Sequence, residues 1–412
     1  MFTSARSVAS LLLSNILMMV GFGIAGYLLP VRALMEHWST FDVALFGTGY
    51  TIGFTVSCIA TPKLVMRVGH IRSFAILAVL LSSGILLCGL VIDPYAWVLF
   101  RFISGFGISG SYLVLESWMN ERASNENRGT FFSLYLVTNM GGAVIGQYVV
   151  AAGDPATQDL FIVSGLIFAL ALLPIVISNA PSPAPMTQAR FNVPELFRRS
   201  PVAVVGSFLA GAMAAAWLSL GSPFAQSIGL STTEGATLLG AVLMGGAIAQ
   251  FPLGRASDRM DRRLVMIFCG LLGLATALCF ALVPVENHTI LFFMAFLFGC
   301  ALFPIYGLNV AHGNDLAKPD EYVEVSGGLM IVYGAGTIIG PICAGSVMSA
   351  FGNHALFLFI ALLFGIYAFY AFWRIRQREA GLGLVGKTGF EAMAMPGIIP
   401  DRNDSEDPNR SE

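Results

Sequence analysis

Charged residues are scarce in this sequence of 412 residues: they make up 11% of the chain, whereas hydrophobic residues make up 56%. A soluble domain of this length does not need so much apolar surface. The composition therefore predicts that lipid is the solvent for most of the fold. The net charge of −2 gives no support to a general attraction to nucleic acid, so no nucleic-acid partner is expected.

Metal-binding and hydrolytic motifs are missing as well. The six cysteines all fall inside apolar stretches and form no CxxC pair, so we expect neither a metal site nor a disulfide framework. The chain has no HExxH motif, no GxSxG motif and no paired-carboxylate arrangement. We therefore predict that the protein is not an enzyme and has no cofactor.

The sequence contains twelve long apolar stretches. Each is long enough, or nearly so, to cross about 30 Å of hydrocarbon at about 1.5 Å per residue. They are continuously apolar and do not alternate, which favours helices over the strands of a barrel. The prediction is an all-α integral membrane protein with twelve transmembrane helices, at approximately 8–30, 42–61, 73–92, 96–117, 130–150, 160–179, 201–225, 236–254, 264–284, 289–312, 325–349 and 354–376.

The positive charges are unevenly placed along the chain. By count, 20 of the 22 lysines and arginines lie in the two tails or in connections on one side of the membrane, and the exceptions are Arg32 and Arg101. The positive-inside rule then places both termini in the cytoplasm, which requires an even number of spans. We expect a multi-pass protein of the bacterial inner (plasma) membrane.

Landmark residues recur 194 positions apart. The recurring features are Asn120-Glu121 with Asn314-Asp315, Gly105 with Gly299, and the pair Gly142/Gly146 with the pair Gly336/Gly340. Many secondary transporters consist of two such halves, which move around a site between them. The predicted units are an N-terminal six-helix bundle (1–180), a cytoplasmic linker (181–200), a C-terminal six-helix bundle (201–378) and a disordered cytoplasmic tail (379–412). Within the linker, Asn192 to Glu195 resembles a capping box that opens a short helix.

One connection carries a recognisable motif. The segment from Gly254 to Arg263 reads Gly-Arg-Ala-Ser-Asp-Arg-Met-Asp-Arg-Arg and resembles the loop signature of the major facilitator superfamily, Gly-x-Leu-Ala-Asp-Arg-x-Gly-Arg-Lys. The corresponding loop of the first half, from Pro62 to His70, fits less well because Met66 replaces the aspartate. The resemblance implies a major facilitator fold in which Asp258 pairs with helix ends and charges of the opposite bundle.

Further segments resemble the superfamily and one particular branch of it. The stretch from Arg101 to Gly107 resembles a second signature of the superfamily, Arg-x-x-Gln-Gly-x-Gly, with serine in place of glutamine. Glu116 to Glu121 and Ala311 to Asp315 are similar to the YcaD-like branch. The similarity extends from the first span to about residue 376 and implies a transport role without indicating a cargo. Gly105, Gly107 and Gly110 also match a dinucleotide-binding spacing, but their position within a span favours close helix packing.

Ionisable residues at the inner ends of the spans are candidates for gating and coupling. We expect them to form a charge cluster that closes the cytoplasmic side; the alternative is a set of ordinary solvated helix-end charges. His312 has the side chain best suited to proton exchange near neutral pH, although a lone histidine at a helix end is more often structural. The candidates are Glu116, Arg128, Asp258, Arg259, Arg262, His312 and Asp315.

Polar residues within the spans are candidates for lining a central cavity. The membrane-embedded Arg101 could tune a proton site, bind an anionic substrate, or extend its side chain to the outer surface. The other candidates could each bond a neighbouring helix instead. Their mixture of rings and amides favours a weakly polar or amphipathic solute. They are Asn15, Asn139, Gln147, Trp217, Gln250, Tyr306, Asn309 and Tyr333.

These features together predict a secondary active transporter. It would move a small-molecule substrate by alternating access, as a monomer in the lipid bilayer, with protons as the coupling ion and export of amphipathic compounds favoured over uptake. One charge that moves through 100 mV contributes about 2.3 kcal/mol, which makes a proton a sufficient energy source. The alternative is a transporter-like membrane sensor or assembly factor that binds a ligand or partner without flux.

Overall fold

The computed structural model of the protein describes residues 2–122, 128–177, 193–283, 287–318 and 321–377. Within these ranges the chain forms α-helices joined by short connections, with no strand. The helices are α1 (Phe2–Met35), α2 (Thr40–Val68), α3 (His70–Leu90), α4 (Pro94–Arg122), α5 (Arg128–Ala152), α6 (Asp159–Leu170), α7 (Leu173–Ile177), α8 (Val193–Arg199), α9 (Pro201–Ser227), α10 (Thr232–Arg259), α11 (Arg262–Leu282), α12 (His288–Leu302), α13 (Pro304–Asn314), α14 (Tyr322–Phe351) and α15 (Ala355–Gln377).

Twelve helical stretches of the described chain are long and apolar enough to cross a membrane, which confirms the predicted number of spans. Two of them are interrupted: α6 and α7 form the sixth span, and α12 and α13 form the tenth. The tenth is broken where Pro304 opens α13, because proline has no backbone N–H to continue the ladder of α12. The remaining helix, α8, lies between the sixth and seventh spans, where a short helix was predicted.

Several helices extend beyond their predicted bounds. The second span was predicted at 42–61, whereas α2 runs from Thr40 to Val68 and includes Pro62 and Arg67. Apolar residues mark only the part of a helix that lies in hydrocarbon, and backbone hydrogen bonding continues into the polar interface. Capping boxes fix two of the beginnings: Ser39 with Asp42 on α2, and Ser231 with Glu234 on α10.

The repeated glycines perform the same task in both halves. A Cβ on Gly105 of α4 would overlap the carbonyl of Tyr50 on α2, and a Cβ on Gly299 of α12 would overlap the carbonyl of Val242 on α10. Only glycine therefore allows each helix pair to approach this closely. Gly107 likewise faces the backbone of α3. Helix packing, as expected, explains the dinucleotide-like spacing in this stretch.

A second glycine pair repeats this pattern. Gly146 on α5 lies against the carbonyl of Val20 on α1, and Gly340 on α14 lies against the carbonyl of Ala212 on α9. Both contacts are backbone against backbone, so the offset of 194 residues reflects equivalent helix contacts in the two bundles. The contact of α1 with α5 and the contact of α9 with α14 are equivalent because each has a glycine at the same position of its half.

The two ends of the bundle pair differ in charge. The connections α2–α3 and α10–α11 lie, together with α8, at the end that holds most of the described basic residues, which we call the basic end. The hydrogen bonds that described side chains make from one bundle to the other lie in the half away from it. They join the hydroxyls of Tyr27, Thr48 and Thr51 to the backbone carbonyls of Thr232, Ile338 and Thr337, and the hydroxyls of Thr40 and Tyr148 to those of Ser349 and Thr237.

Candidate functional site

A cavity of about 160 Å³ lies between the two bundles. Its walls come from the first, second, fourth and fifth spans of one bundle and the seventh, eighth and eleventh spans of the other. Most lining side chains are apolar or aromatic, as is typical of sites for organic ligands. The residues that line it include Phe22, Phe46, Tyr50, Thr51, Phe54, Thr55, Cys58, Arg101, Gln147, Leu218, Ser219, Leu239, Leu243, Met330, Tyr333 and Thr337.

Arg101 is the charged residue among those lining side chains. Its guanidinium carbon lies 4.3 Å from the ring centroid of Tyr50, which is a cation–π contact, and its Nε is buried without a hydrogen-bond partner. The close contact of α2 and α4 at Gly105 places the two side chains side by side. Of the three possibilities that the sequence left open, extension of Arg101 to the outer surface does not describe this geometry.

The structure places two other cavity candidates at the same site. Gln147 and Tyr333 both line the cavity, and the Oε1 atom of Gln147 is buried without a partner. The ring of Tyr306 packs against that of Tyr333 at a tilt of 59°, with ring centroids 4.7 Å apart, and its hydroxyl is buried and has no described partner. Tyr306 therefore contacts a residue of the cavity wall but is not itself among the lining residues.

The remaining candidates lie inside the individual bundles. Trp217 packs against Phe298 and Phe357 of its own bundle. Asn309 accepts a hydrogen bond from Tyr367 at 3.4 Å, and Gln250 is buried with its Nε2 atom unpaired. The structure therefore does not bring these three side chains to the cavity wall that it describes.

A polar network occupies the interior of the first bundle. Tyr135 donates to Glu116 at 3.2 Å, and Tyr112 donates to Asn139 at 3.2 Å. Asn15 donates to Thr138 at 2.9 Å. The network places Glu116 beside tyrosine hydroxyls and amides in a region of apolar helices, where a carboxylate is otherwise poorly solvated.

A charged cluster lies at the basic end of the second bundle. Arg262 at the start of α11 contacts Asp258 at 2.9 Å and Asp315 at 2.7 Å, and it also donates to Ser257 at 2.9 Å. Its side chain is only 1% exposed. These contacts join the end of α10, the start of α11 and the end of α13. Arg262 belongs to the same bundle as Asp258, and the pairing of Asp258 with the opposite bundle stays a prediction.

The other gating candidates surround this cluster or stand apart from it. His312 is half-buried near the end of α13, with Asp315, Arg263 and Asp261 among its charged neighbours. Arg259 is exposed at the end of α10. The side chain of Arg128 lies outside the part of the chain whose side chains the structure describes.

Sequence reasoning missed the second span as a cavity wall. Tyr50 and Phe54, and beside them Thr51 and Thr55, line the cavity at the four-residue spacing of one helix face, and Tyr50 contacts Arg101. That spacing was the available signal. A second omission is His70, which is buried and lies 3.3 Å from Ser117. An offset of 192 residues, the one that relates Arg67 to Arg259, aligns His70 with Arg262.

The sequence that follows α15 contains a pattern that is found in phosphate-binding loops. Residues 381–388 read Gly-Leu-Gly-Leu-Val-Gly-Lys-Thr and formally match the phosphate-binding pattern GxxxxGK[ST], but they lie outside the described residues. That pattern binds phosphate where a strand leads into it. Here the preceding described element is the membrane helix α15, which ends at Gln377. The match therefore gives no support to an ATP-binding module.

Two six-span bundles around a central cavity define the architecture of a membrane transporter. The sequence profile of the Major Facilitator Superfamily matches residues 11–244 and 202–393. The chain belongs to this superfamily and is a multi-pass membrane protein. The resemblance drawn from the loop motifs is confirmed.

Relatives support the narrower resemblance too. The chain is 25% identical to the uncharacterised MFS-type transporter YcaD of Escherichia fergusonii over 368 residues, which cover 88% of this chain and 94% of that protein. It is 24% identical to YcaD of Escherichia coli over 373 residues, with coverage of 89% and 95%.

Solved structures share the fold. The nucleoside transporter NupG superposes with a TM-score of 0.76 at 14% identity, covering 90% of this chain and 100% of that one. A bacterial homologue of the human lysosomal transporter Spinster, in an inward-facing and unoccupied conformation, superposes with a TM-score of 0.75 at 16% identity, covering 91% and 97%. These similarities establish the fold of the chain.

Proposed function

We propose that this transporter moves a small amphipathic solute across the bacterial inner membrane by alternating access. The observation that carries the proposal is the central cavity, whose walls come from both bundles and combine large apolar surfaces with few polar groups. A site between two bundles can be exposed to either side when the bundles move relative to each other. No cofactor is required for such a movement.

The arrangement of the bundles supports an inward-facing state. With both termini cytoplasmic, the basic end faces the cytoplasm. The interbundle hydrogen bonds described above lie in the outer half, where Thr40 meets Ser349 at 3.0 Å and Tyr27 reaches Thr232 at 2.6 Å. The cavity begins at the level of these contacts, at Pro30 and Phe46, and extends toward the cytoplasmic side as far as Ile59 and Gly327.

Proton coupling is the energy source that we propose, with Glu116 as the proton-binding group. Among the described side chains, Glu116 has the Tyr135 hydroxyl as its donor and has no cation within ion-pair distance. Gain of a proton at such a carboxyl removes a charge from an apolar environment. The proton therefore changes the relative free energies of the two conformations if Glu116 meets a cation in only one of them.

Glu116→Gln tests this coupling. The variant should retain exchange of solute across proteoliposomes but should lose accumulation driven by a pH gradient. Tyr135→Phe, which removes the hydroxyl and keeps the carboxyl, serves as the matched control and should retain accumulation with a changed pH profile. Accumulation at the wild-type level by Glu116→Gln would leave Glu116 a structural residue.

Transport itself is tested by counterflow. Compounds that raise the thermal stability of the purified protein are loaded inside proteoliposomes, and entry of the same labelled compound is measured. We expect saturable counterflow that empty liposomes do not show. Binding of these compounds without any counterflow would contradict the proposal and favour the sensor alternative.

A further inference from the structure

The arginine in the cavity lacks an acidic partner within the described residues. No carboxylate of that part of the chain lies at ion-pair distance from Arg101, and its Nε is buried without an acceptor. Arg262, whose side chain is almost fully buried, contacts two carboxylates instead. Because a guanidinium remains charged in proteins and an isolated charge within a membrane is costly, Arg101 leaves a positive charge for an anion to neutralise.

A hydroxyl donor accompanies this charge. The ring of Tyr50 lies under the guanidinium at 4.3 Å, and its hydroxyl is buried without a partner. Thr51 and Thr337 also line the cavity, but the Thr51 hydroxyl donates to the backbone of Thr337, and the Thr337 hydroxyl donates to its own helix. Among the lining residues, the buried donors without a described partner are the Nε of Arg101 and the hydroxyl of Tyr50.

The rest of the wall fits an apolar body. Phe22, Phe54, Leu239, Leu243 and Met330 line the cavity from both bundles. A strongly hydrated inorganic ion would find no donors along this surface, whereas an organic group would bury apolar area against it. A cation would meet the like charge of Arg101.

We propose that the cavity binds a small amphipathic organic anion, whose anionic group pairs with Arg101 and Tyr50 and whose apolar body lies against the wall from both bundles. This inference rests on the proposed transport function and names its substrate class. Shared contacts of one solute with Arg101 in the first bundle and Met330 in the second would make its binding sensitive to the movement of the bundles.

A series of three probes with one apolar body tests the inference. They are 4-butylbenzenesulfonate, 4-butylbenzyl alcohol and 4-butylbenzyltrimethylammonium, which are anionic, neutral and cationic at every accessible pH. Binding is measured by calorimetry on protein in lipid nanodiscs, with empty nanodiscs subtracted. We expect saturable binding of the sulfonate, with the alcohol about tenfold or more weaker, because a hydrogen bond to a charged group is stronger than one between neutral groups.

Variants assign this preference to the site. Arg101→Gln should lower sulfonate affinity about tenfold or more and abolish the preference over the alcohol, while Arg101→Lys should keep part of it. Tyr50→Phe should lower sulfonate affinity a few-fold. Arg376→Gln is the matched control, since Arg376 stacks on Phe372 at 4.7 Å at an exposed position away from the cavity, and it should bind as wild type.

Several outcomes would overturn the inference. Equal affinity of the wild type for sulfonate and alcohol, absence of saturable sulfonate binding, or an unchanged preference in a folded Arg101→Gln variant would each contradict it. The proposed function is separable from these results. If a neutral solute shows counterflow but the sulfonate does not bind, only the assignment of an anionic substrate is contradicted. If the sulfonate binds with the expected preference but no compound shows counterflow, only the transport function is contradicted.

Discussion

At the residue scale, two arginines in similar apolar surroundings have opposite environments. Arg262 satisfies its guanidinium with Asp258, Asp315 and Ser257, so its charge stabilises the junction of three helices. Arg101 has an aromatic ring and an open cavity instead. These two roles cannot be separated in the sequence, because both residues belong to motifs that resemble those of the superfamily. Their partners, which decide the roles, come from other helices.

Removal of Arg262 should strongly destabilise the second bundle. Arg262→Ala would leave Asp315, which is 10% exposed, without its buried partner, and breaking a buried ion pair costs about 3–5 kcal/mol. Thermal unfolding in detergent should show a clear loss for Arg262→Ala and for Asp315→Ala. Arg259→Ala, at an exposed neighbouring position, should be near neutral. Equal stability of Arg262→Ala and Arg259→Ala would show that the cluster contributes nothing to the fold.

At the element scale, the helix contacts depend on small residues at fixed register. In α5, Gly146 faces the backbone of α1 so closely that a Cβ would overlap it, whereas Gly141 has open space around its Cβ position. The two glycines look alike in sequence. They lie on different sides of α5, and the helix that packs against each side decides whether a Cβ fits there.

These two glycines make a matched pair for substitution. Gly146→Ala should lower stability by about 1–3 kcal/mol, which is typical of overpacking, because α1 and α5 must separate to admit the methyl group. Gly141→Ala should be neutral or slightly stabilising, since alanine favours helix more than glycine does. Thermal unfolding of the two variants measures the contrast. A Gly146→Ala variant as stable as Gly141→Ala would mean that the close contact of α1 and α5 is wrong.

The connecting helix α8 is held in place by an ion pair, Arg199 with Glu321, as well as by its buried Leu196. Glu321 accepts from the backbone N–H of Lys318 and from Arg199 at 2.6 Å. The Lys318 N–H first, and then Arg199, hold the pKa of Glu321 below its ordinary value of 4.5. Since the folded-state pKa lies below the unfolded value, this contribution is complete above about pH 4.5 and is lost as the pH falls through the lowered pKa.

Hydrogen exchange of α8 measures this attachment. Exchange, corrected for the intrinsic pH effect, should be slow at neutral pH and should accelerate below about pH 4.5. Glu321→Gln should show the faster exchange already at neutral pH and little further change with acid. Arg198→Gln is the control, because Arg198 belongs to the same helix, is exposed and has no described ion pair. Identical pH profiles for wild type and Glu321→Gln would exclude this contact as an anchor of α8.

At the scale of the whole molecule, the span number and the repeat were predictable because they depend on composition and spacing alone. The cavity wall was not. A membrane helix is apolar on every side, so periodicity does not separate a face toward lipid from one toward a neighbouring helix or a cavity. Gln147 and Tyr333 line the cavity while Trp217 and Asn309 lie within a bundle, and all four look equivalent in the sequence.

A contact between the two bundles predicts how they move during transport. Thr40 on α2 and Ser349 on α14 bring side-chain oxygens from opposite bundles within 3.0 Å of each other at the end away from the basic end, which is the outer end in the proposed orientation. In a background without the six native cysteines, Thr40→Cys with Ser349→Cys should therefore form a disulfide on mild oxidation. That bond would hold the outer end closed while leaving the cavity open toward the basic end. Oxidised protein should still bind solute but should show no counterflow, and reduction of the disulfide should restore counterflow.

The two single cysteine variants are the controls for this disulfide. Each of them, treated with the same oxidant, should exchange solute normally, and mass spectrometry reports the extent of cross-linking. If the fully cross-linked protein exchanges solute at the rate of the reduced protein, the outer contacts do not open during transport, and the alternating movement of these two bundles is the wrong mechanism.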